Sequence, residues 1–394
     1  MINKLKYERC TICQACINIC PKECIKLDFV KEEFNYPIIN KIKCIDCGAC
    51  YKVCPVLNPL DSFNSLKVSY AGMNKNEEER IKSSSGGIFT SLAKIILEGN
   101  GAVCGAAFDN EFKVNHIIIE DENELGKLRG SKYVQSNINN IFKEIKVKLV
   151  NGSKVLFSGC PCQVAGLKKF LGKDYKNLYT LDFICHGIPS QNIFNNYIKL
   201  IEKKYKSCVT EFSFRDKTKG WHMSSIKVKF KNGNEYTKPI IEDMYMRGFL
   251  LNVYLKPSCY NCEFRNFKSG SDITLGDFWG AEVEEKEFDD DKGLSAIIIN
   301  TKKGIDLKNK IESKVFFKKI NYNTILKYNK AIERSFEPSP KRDRFLKLAN
   351  LGDYKKIFIR LCREKKIYKF IKLNRKILRK IKSLIIKYYY GSIS

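Results

Sequence analysis

Apolar and polar positions follow different periods along the chain, and each period predicts a different kind of element. Residues 25–30 and 34–39 are short apolar-rich runs separated by a charged turn, which predicts two short strands. Residues 88–97 instead repeat apolar side chains at helical spacing and are followed by a glycine-rich stop, which predicts a helix. The runs at 101–108 and 114–119 predict paired strands.

A strand–helix–strand order follows in the middle of the chain. The apolar run 154–158 predicts a buried strand, residues 164–170 a helix and residues 178–184 a second strand. This order predicts a parallel sheet with functional groups at the ends of its strands. Clean alternation in residues 225–230, followed by Lys-Asn-Gly, predicts a hairpin.

The last part of the chain is polar, helical and strongly basic. Over residues 353–390, apolar positions at helical spacing alternate with Lys and Arg, which predicts a basic amphipathic helix. Residues 353–394 carry fourteen basic and two acidic side chains, or +12 of the formal net charge of +28. Two interpretations remain open: the helix packs on the preceding domain, or it lies on an anionic membrane surface. No RNA-binding signature accompanies it, so nucleic acid is not an expected partner.

Composition narrows the class of protein. The 394 residues are 44% hydrophobic, which is enough for a sizeable core in two or three domains. No run of 18 apolar residues predicts a membrane-spanning helix, and the first residues show no secretory leader. A cytoplasmic location is expected, with peripheral attachment to the inner face of the membrane left open. In such a reducing compartment, seventeen cysteines indicate metal ligation, and exposed clusters favour an anaerobe.

A repeated cysteine pattern near the N-terminus carries the clearest chemistry. The spacing C-x2-C-x2-C-x3-C-P occurs twice, and it is typical of two-cluster bacterial ferredoxins, in which the fourth cysteine ligates the other cluster. Site I is therefore predicted from Cys10, Cys13, Cys16 and Cys54. Site II is predicted from Cys44, Cys47, Cys50 and Cys20. Zinc sites use separated cysteine pairs, so two [4Fe–4S] clusters are the better interpretation. Cys24 has no counterpart in the repeat and is expected to be a small buried residue.

Two further patterns remain ambiguous from spacing alone. The loop Ser83-Ser-Ser-Gly-Gly87 opens the helix at 88–97, where it is either a phosphate site or a serine-rich helix cap. Five later cysteines border predicted strands, and four of them either hold another [4Fe–4S] cluster or are buried free thiols: Cys160, Cys162, Cys185, Cys259 and Cys262.

Five motifs in order resemble the coenzyme F420 hydrogenase/dehydrogenase beta-subunit family. They are Ser85-Gly-Gly-Ile-Phe-Thr, Arg129-Gly-Ser-Lys-Tyr-Val-Gln-Ser, Phe157-Ser-Gly-Cys-Pro-Cys-Gln, Cys185-His-Gly-Ile-Pro, and Cys259-x2-Cys262 with Asp272-Ile-Thr-Leu-Gly-Asp-Phe-Trp-Gly. The resemblance covers about residues 1–300. It implies a flavoprotein with FAD beside iron–sulfur clusters, which passes electrons between the clusters, the flavin and a diffusible partner.

The resemblance also implies roles for individual residues. Site III, a third [4Fe–4S] site, would consist of Cys162, Cys185, Cys259 and Cys262, whereas Cys160 stands where hydrogenase members usually have threonine. The flavin would lie against a loop formed by Ser85, Gly86, Gly87 and Thr90. Lys132 and Tyr133 either line the same pocket or belong to a plain surface turn.

Candidate catalytic residues are His186 and Lys132. A histidine titrates near pH 7 and suits a general acid beside a flavin, although a structural role after a cluster cysteine remains open. Arg215, Lys217 and Trp221 are candidates for binding an acidic or planar substrate. Departures from the hydrogenase members after Cys185 and in the segment 214–221 indicate a bacterial branch, and they leave the use of the deazaflavin coenzyme open.

The predicted fold class is α+β: a two-cluster ferredoxin module, an α/β flavoprotein core and a basic helical tail. The expected boundaries are residues 1–62 for the dicluster module, 66–150 and 151–320 for the two beta-subunit-type domains, and 321–394 for the tail. The expected function is an oxidoreductase that relays electrons from ferredoxin or another redox protein through the clusters to FAD and an acceptor. The alternatives are an electron-transfer subunit without its own substrate and a membrane-surface reductase of glycan or lipid intermediates.

Overall fold

Each cysteine run of the N-terminal module contains one short helix. In the computed structural model, which describes residues 2–61 and 64–362, these helices are α1 (Ala15–Ile19) and α2 (Ala49–Lys52). Each begins directly after a residue with left-handed backbone, Gln14 or Gly48. The strands β1 (Ile25–Lys31) and β2 (Phe34–Ile39) join the two halves as an antiparallel pair, which confirms the two short strands predicted there.

The core is built on an eight-stranded mixed sheet. The strands that follow β2 are β3 (Val68–Asn74), β4 (Ala102–Phe108), β5 (Val114–Ile119), β6 (Val155–Ser158), β7 (Leu178–Phe183), β8 (Val209–Asp216), β9 (Ser225–Phe230), β10 (Glu235–Pro239), β11 (Ile273–Asp277), β12 (Ser295–Ile299) and β13 (Val315–Lys319). The order in the large sheet is β13-β3-β12-β11-β7-β6-β4-β5. Its centre, β11-β7-β6-β4, is parallel, as predicted, and antiparallel strands flank it on both sides.

The remaining strands form a separate three-stranded antiparallel sheet with the order β10-β9-β8. Its hairpin β9–β10 turns over the Lys-Asn-Gly segment, as the alternation predicted. The helices after α2 are α3 (Glu77–Ile81), α4 (Ile88–Leu97), α5 (Leu125–Leu128), α6 (Ile141–Val150), α7 (Pro161–Leu171), α8 (Gln191–Tyr205), α9 (Met244–Leu250), α10 (Pro257–Tyr260), α11 (Ala281–Glu284), α12 (Lys302–Lys310), α13 (Tyr322–Tyr328), α14 (Arg342–Asn350) and α15 (Tyr354–Lys356).

Helix α4 shows how the apolar pattern determines the packing. Ile88, Leu92 and Ile96 lie on one face at helical spacing and are at most 3% exposed, because that face packs against the central sheet. The helix has the bounds that its periodicity predicted. The helix begins directly after the serine-rich loop, and this connection places that loop at the edge of the sheet.

The predicted boundary at residue 150 lies inside the central sheet. Strands β3, β4 and β5 precede it, β6 and β7 follow it, and hydrogen bonding joins them into one layer. The ferredoxin module also packs closely on this core. A Cβ atom on Gly166 of α7 would lie 2.9 Å from Cβ of Cys13, so glycine is needed where the cysteine loop meets the helix.

The segment predicted as a basic tail begins as part of the core. Ile357, Phe358 and Leu361 lie in a π-helical turn, Ile357–Leu361, and are at most 2% exposed in the cluster that contains α8 and α9. The rest of the predicted amphipathic helix, from residue 363, lies outside the described residues. Among the helices of residues 2–61 and 64–362, none has the length and apolar character needed to cross a membrane.

Candidate functional site

A cavity of about 410 Å³ opens at the carboxyl ends of the four parallel strands. Its wall includes Gly105 of β4, Ser158 of β6, Phe183 of β7 and Leu275 of β11. The carboxyl ends of parallel strands point to the same edge of a sheet, and loops that follow them meet there. The sequence motifs that follow these strands are thereby brought to one place.

The serine-rich loop forms one side of this cavity. Ser85 and Gly87 line it, and Ser84 accepts a hydrogen bond from the backbone N–H of Ser131 at 2.7 Å. Gly86 is not in the wall: its added Cβ would lie 2.3 Å from the carbonyl oxygen of Gly72, so this glycine is required for packing. Of the four loop residues predicted to lie against a flavin, two therefore line the cavity directly.

Thr90 contacts the cavity only through another residue. It is fully buried, and its Oγ1 accepts a hydrogen bond from Nε of Arg129 at 3.2 Å. Arg129 does line the cavity, and spacing had not singled it out as a ligand-binding residue. Thr90 thus positions an arginine at the wall.

Lys132 and Tyr133 both line the cavity. The Lys132 ammonium donates to the carbonyl oxygens of Lys127 at 3.0 Å and Arg129 at 2.8 Å. Burial without a carboxylate partner lowers the pKa of Lys132 to about 7. The Tyr133 hydroxyl accepts a hydrogen bond from Nη1 of Arg215 at 3.1 Å, and this bond holds the Tyr133 side chain next to Arg215 in the cavity wall.

Arg215 is the predicted substrate residue that the structure places at the cavity. Its Nη1 donates to Oδ2 of Asp277 at 2.7 Å, and its guanidinium lies 5.7 Å from the ring centre of Trp279. The Nε and Nη2 atoms are buried and have no hydrogen-bond partner among the described residues. Such orphaned donors suit an acceptor group on a bound molecule.

The other two predicted substrate residues have structural positions. Lys217 donates to the backbone carbonyls of Arg80, Ser85 and Lys292 at 2.7–2.8 Å, so it supports the serine-rich loop from behind. Trp221 is fully buried, and Trp279, which had not been singled out, forms the cavity wall in front of it.

Two histidines line the cavity. Nε2 of His186 is 2.7 Å from Oδ1 of Asn252, the ring stacks on Phe336, and burial lowers its pKa. His116, which the sequence had not singled out, has Nε2 3.1 Å from the Ser158 carbonyl oxygen. Its buried Nδ1 has no partner among the described residues, and burial lowers its pKa to about 4. Because Nε2 donates to the Ser158 carbonyl oxygen, Nδ1 of the neutral His116 ring can accept one hydrogen bond.

The N-terminal cysteines surround two small cavities. The first is lined by the four cysteines of site I, including Cys54 from the second run. The second is lined by the four cysteines of site II, including Cys20 from the first run. Burial raises the pKa of the Cys10 thiol to about 11, so ligation as a thiolate requires the positive charge of iron. The donor set and its grouping fit two [4Fe–4S] clusters with exchanged fourth ligands.

Cys24 is buried, as expected, and it also lines the site II cavity. Its sulfur lies 3.3 Å from that of Cys20.

The later cysteines form a third group, next to the large cavity. The neighbouring thiols of Cys162 and Cys185 raise the pKa of the Cys160 thiol, while Cys185, Cys262 and Cys162 all act electrostatically on Cys259. Cys160 and Cys185 also belong to the cavity wall. Arg265 donates to the carbonyl oxygens of Cys185 and Ala331 and so anchors the Cys185 loop. The four thiols of site III are thus gathered in one place and fit a cluster, with Cys160 beside them.

Comparisons with known proteins agree with the motifs. Residues 69–143 match the family model of the coenzyme F420 hydrogenase/dehydrogenase beta subunit N-terminal part, and residues 152–323 match the model of its C terminus. The chain belongs to the coenzyme F420 hydrogenase/dehydrogenase beta-subunit family. In this family member, residues 9–58 also match a 4Fe-4S dicluster domain. The family is one of oxidoreductase components, and the predicted fold class and N-terminal module are confirmed.

Two curated relatives come from Methanocaldococcus jannaschii. A coenzyme F420-dependent sulfite reductase is 24% identical over 341 residues, which is 83% of this chain and 51% of the relative. The chain therefore spans about half the length of that reductase. An uncharacterized protein is 23% identical over 384 residues, covering 85% of this chain and 94% of the relative. Among solved structures, the F420-reducing [NiFe] hydrogenase complex from Methanosarcina barkeri matches with 20% identity and a TM-score of 0.47, over 75% of this chain and 91% of the matched chain.

Proposed function

We propose that this chain is an iron–sulfur flavoprotein oxidoreductase that relays electrons from ferredoxin or a similar donor to a two-electron acceptor. The observation that carries the proposal is the position of Cys160 and Cys185, which belong both to the third thiol group and to the wall of the 410 Å³ cavity. A cluster ligated at site III would lie directly beside a molecule bound in that cavity. When bound, the clusters supply one-electron carriers and FAD supplies the conversion between one- and two-electron transfer.

The thiols of the three sites would hold the clusters in a spatial row, with site II on the outside, site I in the middle and site III beside the cavity. On the core side, the Cys10 thiol is within electrostatic range of the Cys162 thiol, so sites I and III are neighbours. On the outer side, site II includes Cys47, which is exposed to solvent. Electrons from a docked protein would therefore enter at site II and leave through site III.

Several features of the cavity support FAD as its occupant. The serine-rich loop offers backbone N–H groups and hydroxyls at the start of α4, which suits phosphate. The orphaned Nδ1 of His116 can accept a hydrogen bond from an N–H group of a polar ring system. The volume of about 410 Å³ is large enough for a ring system of this size, which leaves part of the dinucleotide in the open mouth.

Lys132 is our candidate for proton delivery in the cavity. With its pKa lowered to about 7, the ammonium can release a proton at neutral pH and recover it from solvent. His186 has its Nε2 engaged with Asn252 and its ring packed on Phe336, which favours a positioning role for it beside Cys185.

The acceptor would bind between Arg215 and Trp279. An aromatic ring that is 39% exposed and a guanidinium with unused donors suit a planar molecule that carries an anionic or carbonyl group. The name of one relative mentions coenzyme F420, and such a deazaflavin is one planar acceptor to be tested.

The test is the cofactor content and turnover of the protein after anaerobic purification. We expect about twelve irons with matching acid-labile sulfide, one released FAD per chain, and reduction of a planar acceptor by a reduced ferredoxin. About eight irons without flavin would contradict the proposal and leave a dicluster protein fused to a binding domain. Identification of the released flavin by chromatography distinguishes FAD from a bound deazaflavin.

One observation favours the second candidate, an electron-transfer subunit of a larger complex. Ile42 and Ile45, which lie on either side of the site II ligand Cys44 in the chain, are 97% and 57% exposed, and they would serve as apolar anchors for a partner protein. A protein that carries full cofactors, reduces no small acceptor by itself and gains activity only with a partner subunit would support this candidate.

A further inference from the structure

Lys256 is a fully buried lysine at the junction of the ferredoxin module and the core. It is 1% exposed and stands directly before α10, three residues ahead of Cys259. Its ammonium donates to the carbonyl oxygen of Thr11 in the site I loop, and to Oε1 of Gln135 at 2.8 Å. Neither partner carries a charge, so these bonds hold the ammonium in place without neutralising it.

Burial lowers the pKa of Lys256, but the charges of nearby cysteine thiolates more than offset this effect, so the pKa is raised. In decreasing order of effect, these thiolates are those of Cys162, Cys259, Cys160 and Cys10. Three of them belong to predicted cluster ligands: Cys162 and Cys259 to site III, and Cys10 to site I. A buried cation is costly unless anions compensate it, and here the available anions are the ligands of two different clusters.

A thiolate-ligated [4Fe–4S] cluster is anionic and gains one further negative charge on reduction. A fixed positive charge nearby therefore favours the reduced form, and the interaction is strong because the surroundings are buried. Arg265 is a second cation, but its charge acts on Cys185 and Cys262 of site III. Arg9 acts on Cys54 of site I, whereas Lys256 acts on thiols of both sites I and III.

We infer that Lys256 raises the reduction potentials of the clusters at sites I and III together, and leaves that of site II unchanged. The lysine thereby makes the two inner sites better electron acceptors than the outer one, which directs electrons inward.

The experiment is an EPR-monitored redox titration of the anaerobically purified full chain. In Lys256→Met and Lys256→Gln, we expect two of the three midpoint potentials to become more negative and one to stay constant. A Cys47→Ser protein provides the assignment, because Cys47 is a predicted ligand of site II only. The EPR signal that changes in this protein belongs to site II, and it should be the signal whose potential stays constant in the Lys256 variants. Lys256→Arg keeps the positive charge and should restore both shifted potentials toward the wild-type values.

Several results would overturn the inference. They are three unchanged potentials at full iron content, an equal shift of all three, or a shift in Lys256→Arg as large as in Lys256→Met. If Lys256→Met does not take up iron, Gln135→Glu provides the second measurement, since it places a carboxylate against the ammonium. This variant should lower the same two potentials, and unchanged values at full iron content would also contradict the role of Lys256.

The inference rests on the proposed function for site III, but its effect on site I is independent of that proposal. An iron content of about eight in the wild type would reject the third cluster and the relay. The midpoint potentials of sites I and II in Lys256→Met, compared with those of the wild type, would still decide whether Lys256 raises the potential of site I.

Discussion

Trp279 lies flat against Trp221, with ring centres 5.3 Å apart and planes inclined by 3°. Trp221 is fully buried and donates from Nε1 to Oδ1 of Asp277 at 3.2 Å, while Asp277 also pairs with Arg215. The buried ring thus supports the exposed one, and the same carboxylate orients the guanidinium beside it. Together they form a rigid wall for a planar ligand.

Trp279→Ala should therefore weaken binding of the acceptor. Loss of one stacking face costs about 1 kcal/mol, so we expect the KM for the acceptor to rise roughly fivefold while flavin content stays unchanged. Phe316→Ala is the matched control, because Phe316 is 50% exposed on β13 and does not line the cavity. An unchanged KM in Trp279→Ala would remove this wall from the acceptor site.

Lys132 should give the activity a pH dependence near neutrality. Its pKa is lowered to about 7, so its ammonium form, the proton donor, is lost as pH rises through 7. Wild-type turnover should fall across this range, whereas Lys132→Arg should keep its charge and move the fall to higher pH. Lys132→Met should be slow and nearly independent of pH there. The same pH profile in Lys132→Met as in the wild type would assign the titration to another group.

The same lysine makes a predictable contribution to stability. Because its pKa is lower in the folded chain than the ordinary lysine value of 10.5, the unfolded chain binds more protons between pH 7 and 10.5. The contribution of Lys132 to the free energy of unfolding should therefore rise with pH over this range. Chemical denaturation of wild type and Lys132→Met at pH 6, 8 and 10 measures it: relative to Lys132→Met, the free energy of unfolding of the wild type should rise from each pH to the next above 7.

The exchange of fourth ligands predicts which cluster each cysteine variant loses. Cys54 lies in the second run but lines the site I cavity, so Cys54→Ser should disrupt site I and lower the iron content by about four. The signals of site II should remain. Cys208→Ser is the control, because Cys208 is exposed and lines neither cluster cavity. Loss of the site II signal instead would show that each run ligates its own cluster.

The exposed isoleucines at site II predict the effect of a docking variant. Ile42→Asp should slow reduction by a ferredoxin about tenfold or more, since a charge would replace an apolar anchor that is 97% exposed. Reduction by dithionite, which needs no docking surface, should keep its rate. Leu351→Asp, at a position 78% exposed in the C-terminal part, provides the control. Equal slowing with both reductants would indicate damage to the cluster.

The start of the basic segment should contribute strongly to stability. Phe358 is fully buried against Tyr197 and Tyr254, so Phe358→Ala should lower the free energy of unfolding by about 3–5 kcal/mol. The neighbouring Ile359 is 37% exposed, and Ile359→Ala should cost about 1 kcal/mol or less. Similar small losses for both variants would mean that this turn does not belong to the core.

Local sequence patterns were sufficient for several parts of this protein. The first three cysteines of each run lie within seven residues, on one loop, so their spacing predicts a cluster site without any knowledge of the fold. The fourth cysteine and the proline after it indicate that the two clusters exchange their fourth ligands. Helix α4 was predicted with its observed bounds because its apolar period alone decides which face is buried. The family could be recognised from motifs for the same reason, since each motif is a short continuous stretch.

Only the tertiary structure decided which of the motifs act together. Strand β11 lies beside β7, about ninety residues earlier in the chain, and this pairing brings Asp277 and Trp279 to the cavity while Trp221 is buried behind them. Gly86 and Lys217 match motifs of the site but serve packing and loop support. Lys256 carries no motif, and its position between two thiol groups depends on contacts with Thr11 and Gln135. These positions depend on the order of strands that are distant in the chain and on how the ferredoxin module packs against the core. The spacing of apolar residues within one short segment does not determine either of them.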